Sequence, residues 1–531
     1  MARARATNAA DMAGSLKQLV RDRIERLPAN AAEVLIWASI LGPSFQLDHL
    51  TRIVPLRLEE VTGALEIAER HELLRTIAEP ARCGYRFTHD LVHRAVYTAL
   101  SEPRRRLMHL KTARALQDIG FDEAIVADIA HHAALGGEAG MAAAACVAAG
   151  HRCLRLFANT GAEALARKGL RYADTLPEPE RSQRTLELIQ VETLARRPAD
   201  PKRAIARIEA LAERALDQGS LEHARLGYHM LSYLRWEGGS WTDAQRDMLR
   251  AEFVSRSTDE KQRVHAMAEA ARCLAMLERD LGQAEALALE ARGLAQRLDF
   301  EPNAVSDAIG LLRLYQGAVE EAAALFARAR DVARREGERS SEFLALEHLV
   351  GLEIQCRRYR AAETWCDELV ALSEKLRDGS EAPCARALQA VCRLARDEPA
   401  APDEFARATA ALRAADAKHR LGFALICAAE IDIERKRFDP AREKAAEALR
   451  LVTVLGRASE IAAAHALLAR AAVADNDHCV VQQHTAAMRK TLARPISCWA
   501  QTLAESVLES DDEPPIGSRA GAARRSAKVR P

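Results

Sequence analysis

The sequence predicts an all-α fold in two parts, a small helical domain carrying one β-hairpin and then a right-handed α-solenoid of helical hairpins. Three observations lead there. Ala and Leu dominate an apolar fraction of 49%, while aromatic residues are only 4%, a balance that favours helices over strands rich in β-branched and aromatic side chains. A small-residue motif returns about every forty residues from position 160 onward, the mark of a stacked array. The segment before it has another texture, with short helices and two β-like runs.

The repeat is anchored by a small residue two to four positions after a turn, followed by apolar or small residues four and seven positions on. Ala322, Phe326 and Ala329 form one set, Ala284, Ala288 and Ala291 another; Ala362, Cys366 and Leu369 follow the rule, as do Ala441, Ala445 and Ala448, Ala244, Met248 and Ala251, and Ala204, Ile208 and Leu211. This spacing is helical. The anchors 162, 204, 244, 284, 322, 362 and 441 give steps of 42, 40, 40, 38 and 40, then 79, so a degenerate unit is expected around Pro399 to Ala415. Each step has room for two helices joined by turns at Gly238-Gly239, Gly282, Gly317, Asp378-Gly379, Asp439-Pro440 and Asn476. Ala at the anchor lets two helices cross at the usual ~8–10 Å axial distance. The Ala, Phe, Ala triplet resembles the second helix of a tetratricopeptide repeat, here with a period nearer 40 than 34. Such an array is expected to expose one long concave face suited to a partner helix or extended peptide.

The first part reads as Ser15–Leu27, an amphipathic helix closed by Pro28, then Ala32–Leu41 closed by Gly42-Pro43. A short helix over Leu47–Ile53 and a longer one over Leu58–Glu69 follow. The runs Leu73–Ile77 and Cys83–Phe87 flank a turn and form a hairpin, and a further helix starts at Thr88 or Asp90 and runs to Leu100. Helices followed by a hairpin give a winged-helix pattern. The strings LVRDRIERLP, EVLIWASILGPSF, ELLRT and YRFTHDLVHRAVYTAL resemble the winged-helix segment that follows the nucleotide-binding module in signal-transduction ATPases with numerous domains. The resemblance implies a sensor and adaptor half whose partner is an NTPase. A phosphate-cradling GxxxxGK[ST] loop is absent from the sequence. Expected boundaries are a flexible 1–14, a winged-helix-like 15–118, a solenoid over 119–508 and a disordered basic tail over 509–531.

Charge and chemistry narrow the function. Lys and Arg number 76 against 76 Asp and Glu, which removes the long-range field of a dedicated nucleic-acid or membrane-surface binder. Val34 to Leu47, the longest stretch without a charged side chain, is shorter than the ~18 residues of a membrane helix. No secretory signal is read at the N-terminus. Eleven Cys without a CxxC pair suit buried thiols in a reducing cytoplasm. His89 and His93 stand four apart without the Glu or third ligand of a zinc site, so a structural role is expected for both. His131-His132 reads as a helix surface. No nucleophile motif is present, so neither enzyme activity nor a cofactor is expected.

Two clusters are candidate partner-binding residues. Arg104, Arg105 and Arg106 could meet phosphate, on DNA or on a nucleotide held by an NTPase partner. Tyr228, Tyr233, Trp236 and Trp241 gather aromatic side chains around one hairpin in a chain poor in them. They either line a ligand surface or pack the solenoid. The leading reading is a non-catalytic sensor of a bacterial signalling or transcriptional regulator, binding protein or effector along its solenoid. The alternative is a DNA-binding regulator using the winged helix, opposed by Glu59, Glu60, Glu66 and Glu69 on the helix that would enter the groove.

Overall fold

A computed structural model describes residues 22–79, 82–118, 125–376 and 379–511. The expected N-terminal arm and C-terminal tail lie outside these residues, except for 509–511 at the end of the last helix. The chain divides into two compact units, Met1–Ala195 and Arg196–Pro531.

In the N-terminal unit, α1 (Ala29–Leu41), β1 (Ser44–Gln46), α2 (Leu47–Ile53), α3 (Leu58–Arg70), β2 (Leu74–Glu79), β3 (Arg82–Phe87) and α4 (Asp90–Ala99) follow one another. The strands form an antiparallel sheet of order β1-β3-β2, with Phe45 opposite Tyr85 and Thr76 opposite Tyr85 on its other side. The expected hairpin is there, and β1 is an addition. Three residues long, β1 is too short to show an alternating pattern. Val34, Leu35, Leu50, Val61 and Leu65 are fully buried beneath the sheet-bearing segment. The Glu60 carboxylate accepts the backbone N–H of Arg57 at 3.0 Å, closing the first turn of α3.

Helices α5 (Glu102–Asp118), α6 (Val126–Gly136), α7 (Ala139–Arg155), α8 (Asn159–Ala173) and α9 (Glu180–Ala195) complete this unit. In α8 the anchor Ala162 and the following Ala166 are fully buried.

The C-terminal unit opens with α10 (Pro201–Asp217) and continues as seven helical hairpins. They pair α11 (Leu221–Glu237) with α12 (Trp241–Ser255), α13 (Glu260–Leu277) with α14 (Leu281–Arg297), and α15 (Asn303–Tyr315) with α16 (Val319–Glu336). Next come α17 (Arg339–Gln355) with α18 (Tyr359–Ser373), α19 (Glu381–Ala395) with α20 (Ala401–Ala414), α21 (Lys418–Glu434) with α22 (Phe438–Leu455), and α23 (Ala458–Ala474) with α24 (His478–Thr491). Helix α25 (Cys498–Asp511) ends the array. This is an all-α solenoid of tetratricopeptide-like hairpins.

Its period is kept by the turns. Left-handed residues fall at 239, 278, 317, 357, 397, 436 and 476, steps of 39 to 40. One residue of each turn inside a hairpin must take positive φ to reverse the chain. The anchors fill the crevice between paired helices: Ala244, Ala284, Ala322 and Ala362 are fully buried, and Ala441 is nearly so. The set at Ala204 is looser, with Ala204 and Leu211 only partly covered.

The unit expected to be degenerate is complete. Ala401, Phe405 and Ala408 keep the four-and-seven spacing and are buried, so the anchors step evenly through 362, 401 and 441. A further set, Val481, Thr485 and Met488, follows forty residues later in α24. It escapes an alanine-based reading because a larger Val holds the anchor position.

First helices of the hairpins differ from second ones. In α15, every residue from Asn303 to Gly310 is buried, and in α21 so is every residue from Ala424 to Ile433. A helix covered on all sides has neighbours on all sides. Most of these are the hairpins directly before and after, and the winding array adds contacts between hairpins about four and a half apart. Glu278 accepts the backbone N–H of Ser459, 181 residues on, at 2.8 Å. A Cβ at Gly317 would lie 2.9 Å from Cys498 Sγ, and the rings of Trp236 and Trp241 lie 5.9 and 5.5 Å from that of His419. Winding thus brings turns of the first hairpins against the helix starts of the last ones.

Candidate partner-binding surfaces

The first helices carry the polar side chains of the interior, and these join hairpin to hairpin. His229 on α11 lies 3.8 Å from the Glu269 carboxylate on α13, and Arg272, one turn on, pairs with Glu269. Arg272 also reaches Asp307 on α15 at 3.6 Å, and the Asp307 carboxylate accepts from His348 Nδ1 on α17 at 2.8 Å. Beside His348, Glu347 takes a two-pronged contact from Arg420 on α21 at 2.9 and 2.7 Å. Arg420 further donates to Ser380 Oγ at 2.6 Å, and the Cys384 thiol donates to Glu347 at 3.3 Å.

Glu347 and Arg420 belong to first helices two hairpins apart, with α19 between them. Side chains can skip a hairpin only on the inside of the curve, where spacing is compressed; the outside fans apart. The row is therefore internal. It keeps a little water access, with side-chain exposure of 18% at Glu269, 15% at Arg272 and 10% at Arg420. Burial raises the carboxyls of Glu269 and Glu347, yet the adjacent Arg272 and Arg420 outweigh it and hold each at about 2. Both stay ionised at neutral pH.

The aromatic residues singled out by sequence lie on α11 and at the start of α12. Tyr228 is fully buried, its ring 4.2 Å beneath the Arg250 guanidinium and its hydroxyl accepting from Arg250 at 3.0 Å. Burial pushes its phenol up to about 12. Tyr233 donates to Glu237 at 3.1 Å. Trp236 and Trp241 pack edge to face at 4.2 Å, and His419, half-buried against them, is pushed down to about 3 by loss of water contact. The structure brings Trp236 and Trp241 together and leaves Tyr228 no surface.

In the N-terminal unit, Arg104 pairs with Glu33 at 3.3 Å and Arg106 with Glu102 at 2.8 Å, while Arg105 lies 5.2 Å over the Tyr97 ring. These exposed contacts are weak, so the side chains can exchange them. His93 Nε2 meets the Ser39 carbonyl at 2.9 Å, an interhelical role, and His89 is exposed at the start of α4. His132 corrects the surface reading. It is buried, with Nδ1 2.9 Å from His109 Nδ1, and His109 Nε2 meets Tyr97 OH at 2.9 Å. One ring donates and the other accepts, and burial lowers His109 to about 4 and His132 to about 3. His131 beside it is exposed. Among the described residues, no group of three His, Cys, Asp or Glu is placed to hold a metal.

Sequence reasoning missed the ionic row. Its members sit singly on separate helices, and no local pattern marks them.

No protein-family model and no curated protein matches the chain. Among solved structures, it is similar to a signal transduction ATPase with numerous domains bearing a tetratricopeptide repeat sensor, from Pyrococcus horikoshii, at 13% identity and TM-score 0.44 over 82% of this chain. The chain spans 64% of that protein's length. It is also similar to a Rap protein complexed with competence and sporulation factor, at 14% identity and TM-score 0.45 over 68% of this chain and 99% of that one. The tetratricopeptide domain of P58(IPK) matches at 14% identity and TM-score 0.23, over 80% of this chain and 94% of that one. Likenesses this distant leave function to the chain's own geometry.

Proposed function

We propose that the C-terminal unit is a non-catalytic polypeptide-binding module, the sensor and adaptor of a bacterial signalling or transcriptional regulator. Its observation is the ionic row running from His229 to Arg420 along the first helices, partly wet, with Glu269 and Glu347 held ionised. Paired charges with some access to water can be exchanged for the carboxylates, guanidiniums and amides of an extended chain. In this reading residues up to 118 form a winged-helix domain, its helix, strand, two helices and hairpin in sequence, and Arg104 to Arg106 face an NTPase partner. All described cysteines are free thiols, which suits the cytoplasm. The test is selection from a displayed library of extended peptides on the full chain. Binding peptides that lose affinity with Arg272→Gln, while the fold stays intact by circular dichroism, support the reading; no enrichment, or affinity indifferent to Arg272→Gln, overturns it.

A second reading, DNA binding, has one observation in its favour. Arg75 and Arg86 are exposed and directly opposite in the sheet, where like charges repel unless an anion intervenes. Glu59 and Glu66, exposed on α3, oppose it. A salt-dependent mobility shift with duplex DNA, lost in Arg75→Ser/Arg86→Ser, would decide for it.

A further inference from the structure

Among the described residues, two histidine pairs bring Nδ1 against Nδ1, and they differ in what surrounds them. In the N-terminal unit His109 spends its second nitrogen on Tyr97 and His132 is buried, so that pair is complete with one shared proton. In the C-terminal unit His465 on α23 and His484 on α24 hold their Nδ1 atoms 3.0 Å apart, with ring centres 5.2 Å apart and planes inclined at 43°. Both are only half-buried. Among the described residues neither has another hydrogen-bond or ion-pair partner, and each Nε2 is open to water. The rings stand on firm supports: Ala462, Ala466 and Ala469 around His465 are fully buried, as is Met488, one turn beyond His484.

A shared proton is one way to join two such nitrogens, and a metal ion is the other. Metal–imidazole bonds are ~2.0–2.1 Å long. Two of them reach nitrogens 3.0 Å apart when the angle at the metal is about 91–97°. A tetrahedral ion would spread the nitrogens to about 3.3–3.4 Å. Right angles belong to tetragonal and octahedral ions, and neutral nitrogen donors do not suit Mg²⁺ or Ca²⁺, which take oxygen. We propose that His465 and His484 form a site for one divalent transition-metal ion of right-angled coordination, Ni²⁺ or Cu²⁺, with water in the remaining positions. The surroundings do not oppose a cation. Burial alone acts on His484, and burial with His484 on His465, so no Lys or Arg charge bears on the pair. Burial lowers both rings from the ordinary 6.5, His465 to about 4, and so keeps them in the unprotonated form that ligates metal. The ion ties together the two helices of the last hairpin, and the site stands independently of the peptide reading.

Ring chemistry reports the site on the natural protein. A ring that binds metal through Nδ1 keeps its proton on Nε2 and has no free lone pair, so it ceases to react with diethyl pyrocarbonate. Carbethoxylation of the full chain at pH 7, located by mass mapping, is compared with and without Ni²⁺, the probe chosen because Cu²⁺ would oxidise the chain's free thiols. Ni²⁺ is expected to slow modification of His465 and His484 together by at least about tenfold, Zn²⁺ at the same concentration less, and Mg²⁺ not at all. In His465→Gln the protection of His484 is expected to need at least about tenfold more Ni²⁺, and the same for His465 in His484→Gln. Equal modification with and without Ni²⁺ overturns the site, as does protection of His484 that survives His465→Gln unchanged. Stronger protection by Zn²⁺ than by Ni²⁺ overturns the right-angled coordination assigned to it.

Discussion

Helices α15 and α16 belong to one hairpin yet bury themselves in different ways. In α16 a single stripe, Ala322, Phe326, Ala329, Val332 and Ala333, is covered and the rest faces water. In α15 almost nothing does. The stripe on α16 answers to its nearest neighbours alone. The further covered faces of α15 come from the first helices of the hairpins before and after it, α13 and α17, with slight contact from α25. Pairing within a hairpin and packing between hairpins are thus separable sources of burial, and they can be tested apart.

The contrast breaks first at Phe326, the fully buried ring that joins the two helices. A Cβ at Gly310 would stand 2.6 Å from the Phe326 ring, so the contact requires both residues. Phe326→Ala is expected to cost about 3–5 kcal/mol, read as a lowered urea midpoint; a loss under about 1 kcal/mol would mean that stacking does not carry the hairpin. Interior polarity comes next. Glu347→Gln leaves the Arg420 charge with little compensation and is expected to cost about 2–3 kcal/mol, while Glu347→Leu/Arg420→Met comes back to within about 1 kcal/mol of the natural protein. A double variant worse than the single one would show that the row is held by more than its own pairing.

Overfilling sharpens the stripe side. Ala445→Leu on α22, at a fully buried position, is expected to destabilise by about 1–3 kcal/mol in the same titration.

A smaller effect follows from His465 on α23 and His484 on α24, whose Nδ1 atoms lie 3.0 Å apart. Burial lowers His465 from 6.5 to about 4. The unfolded chain takes the proton first, so this contribution is full above pH 6.5 and is lost as pH falls toward 4. Stability at pH 5 is expected to drop by about 1 kcal/mol relative to pH 7 through this pair, an increment that His465→Gln should remove. Smallest of all, Val454→Ser, at a side chain 65% exposed on α22, should stay within about 0.5 kcal/mol.

Much of this was legible in the sequence, because stripes that answer to nearest neighbours repeat with the turns. Five of the seven hairpins were marked by anchor sets; the unit at Ala401 kept the spacing once its place was known, and the last carries Val481 at the anchor. The helices between residues 29 and 100 were readable from Pro, Gly and acidic first turns, with Gly42-Pro43 ending α1 where expected, while most of the helix expected over Ser15–Leu27 lies outside the described residues. What escaped were features without a local signature: β1, defined only by its pairing with β3, the buried Glu430 and Asp432, which no sequence pattern marks, and His132, whose partner His109 lies in another helix.

By itself, the sequence determined that this chain builds helical hairpins of constant length with alanine at their crossings, since both depend on residues within one period of each other. Tertiary structure alone decided that Glu278 meets Ser459, that Glu347 meets Arg420, and that the first helices have no free face. These follow from the small rotation between successive hairpins, which no single repeat encodes and which becomes visible only when it has accumulated through a full turn.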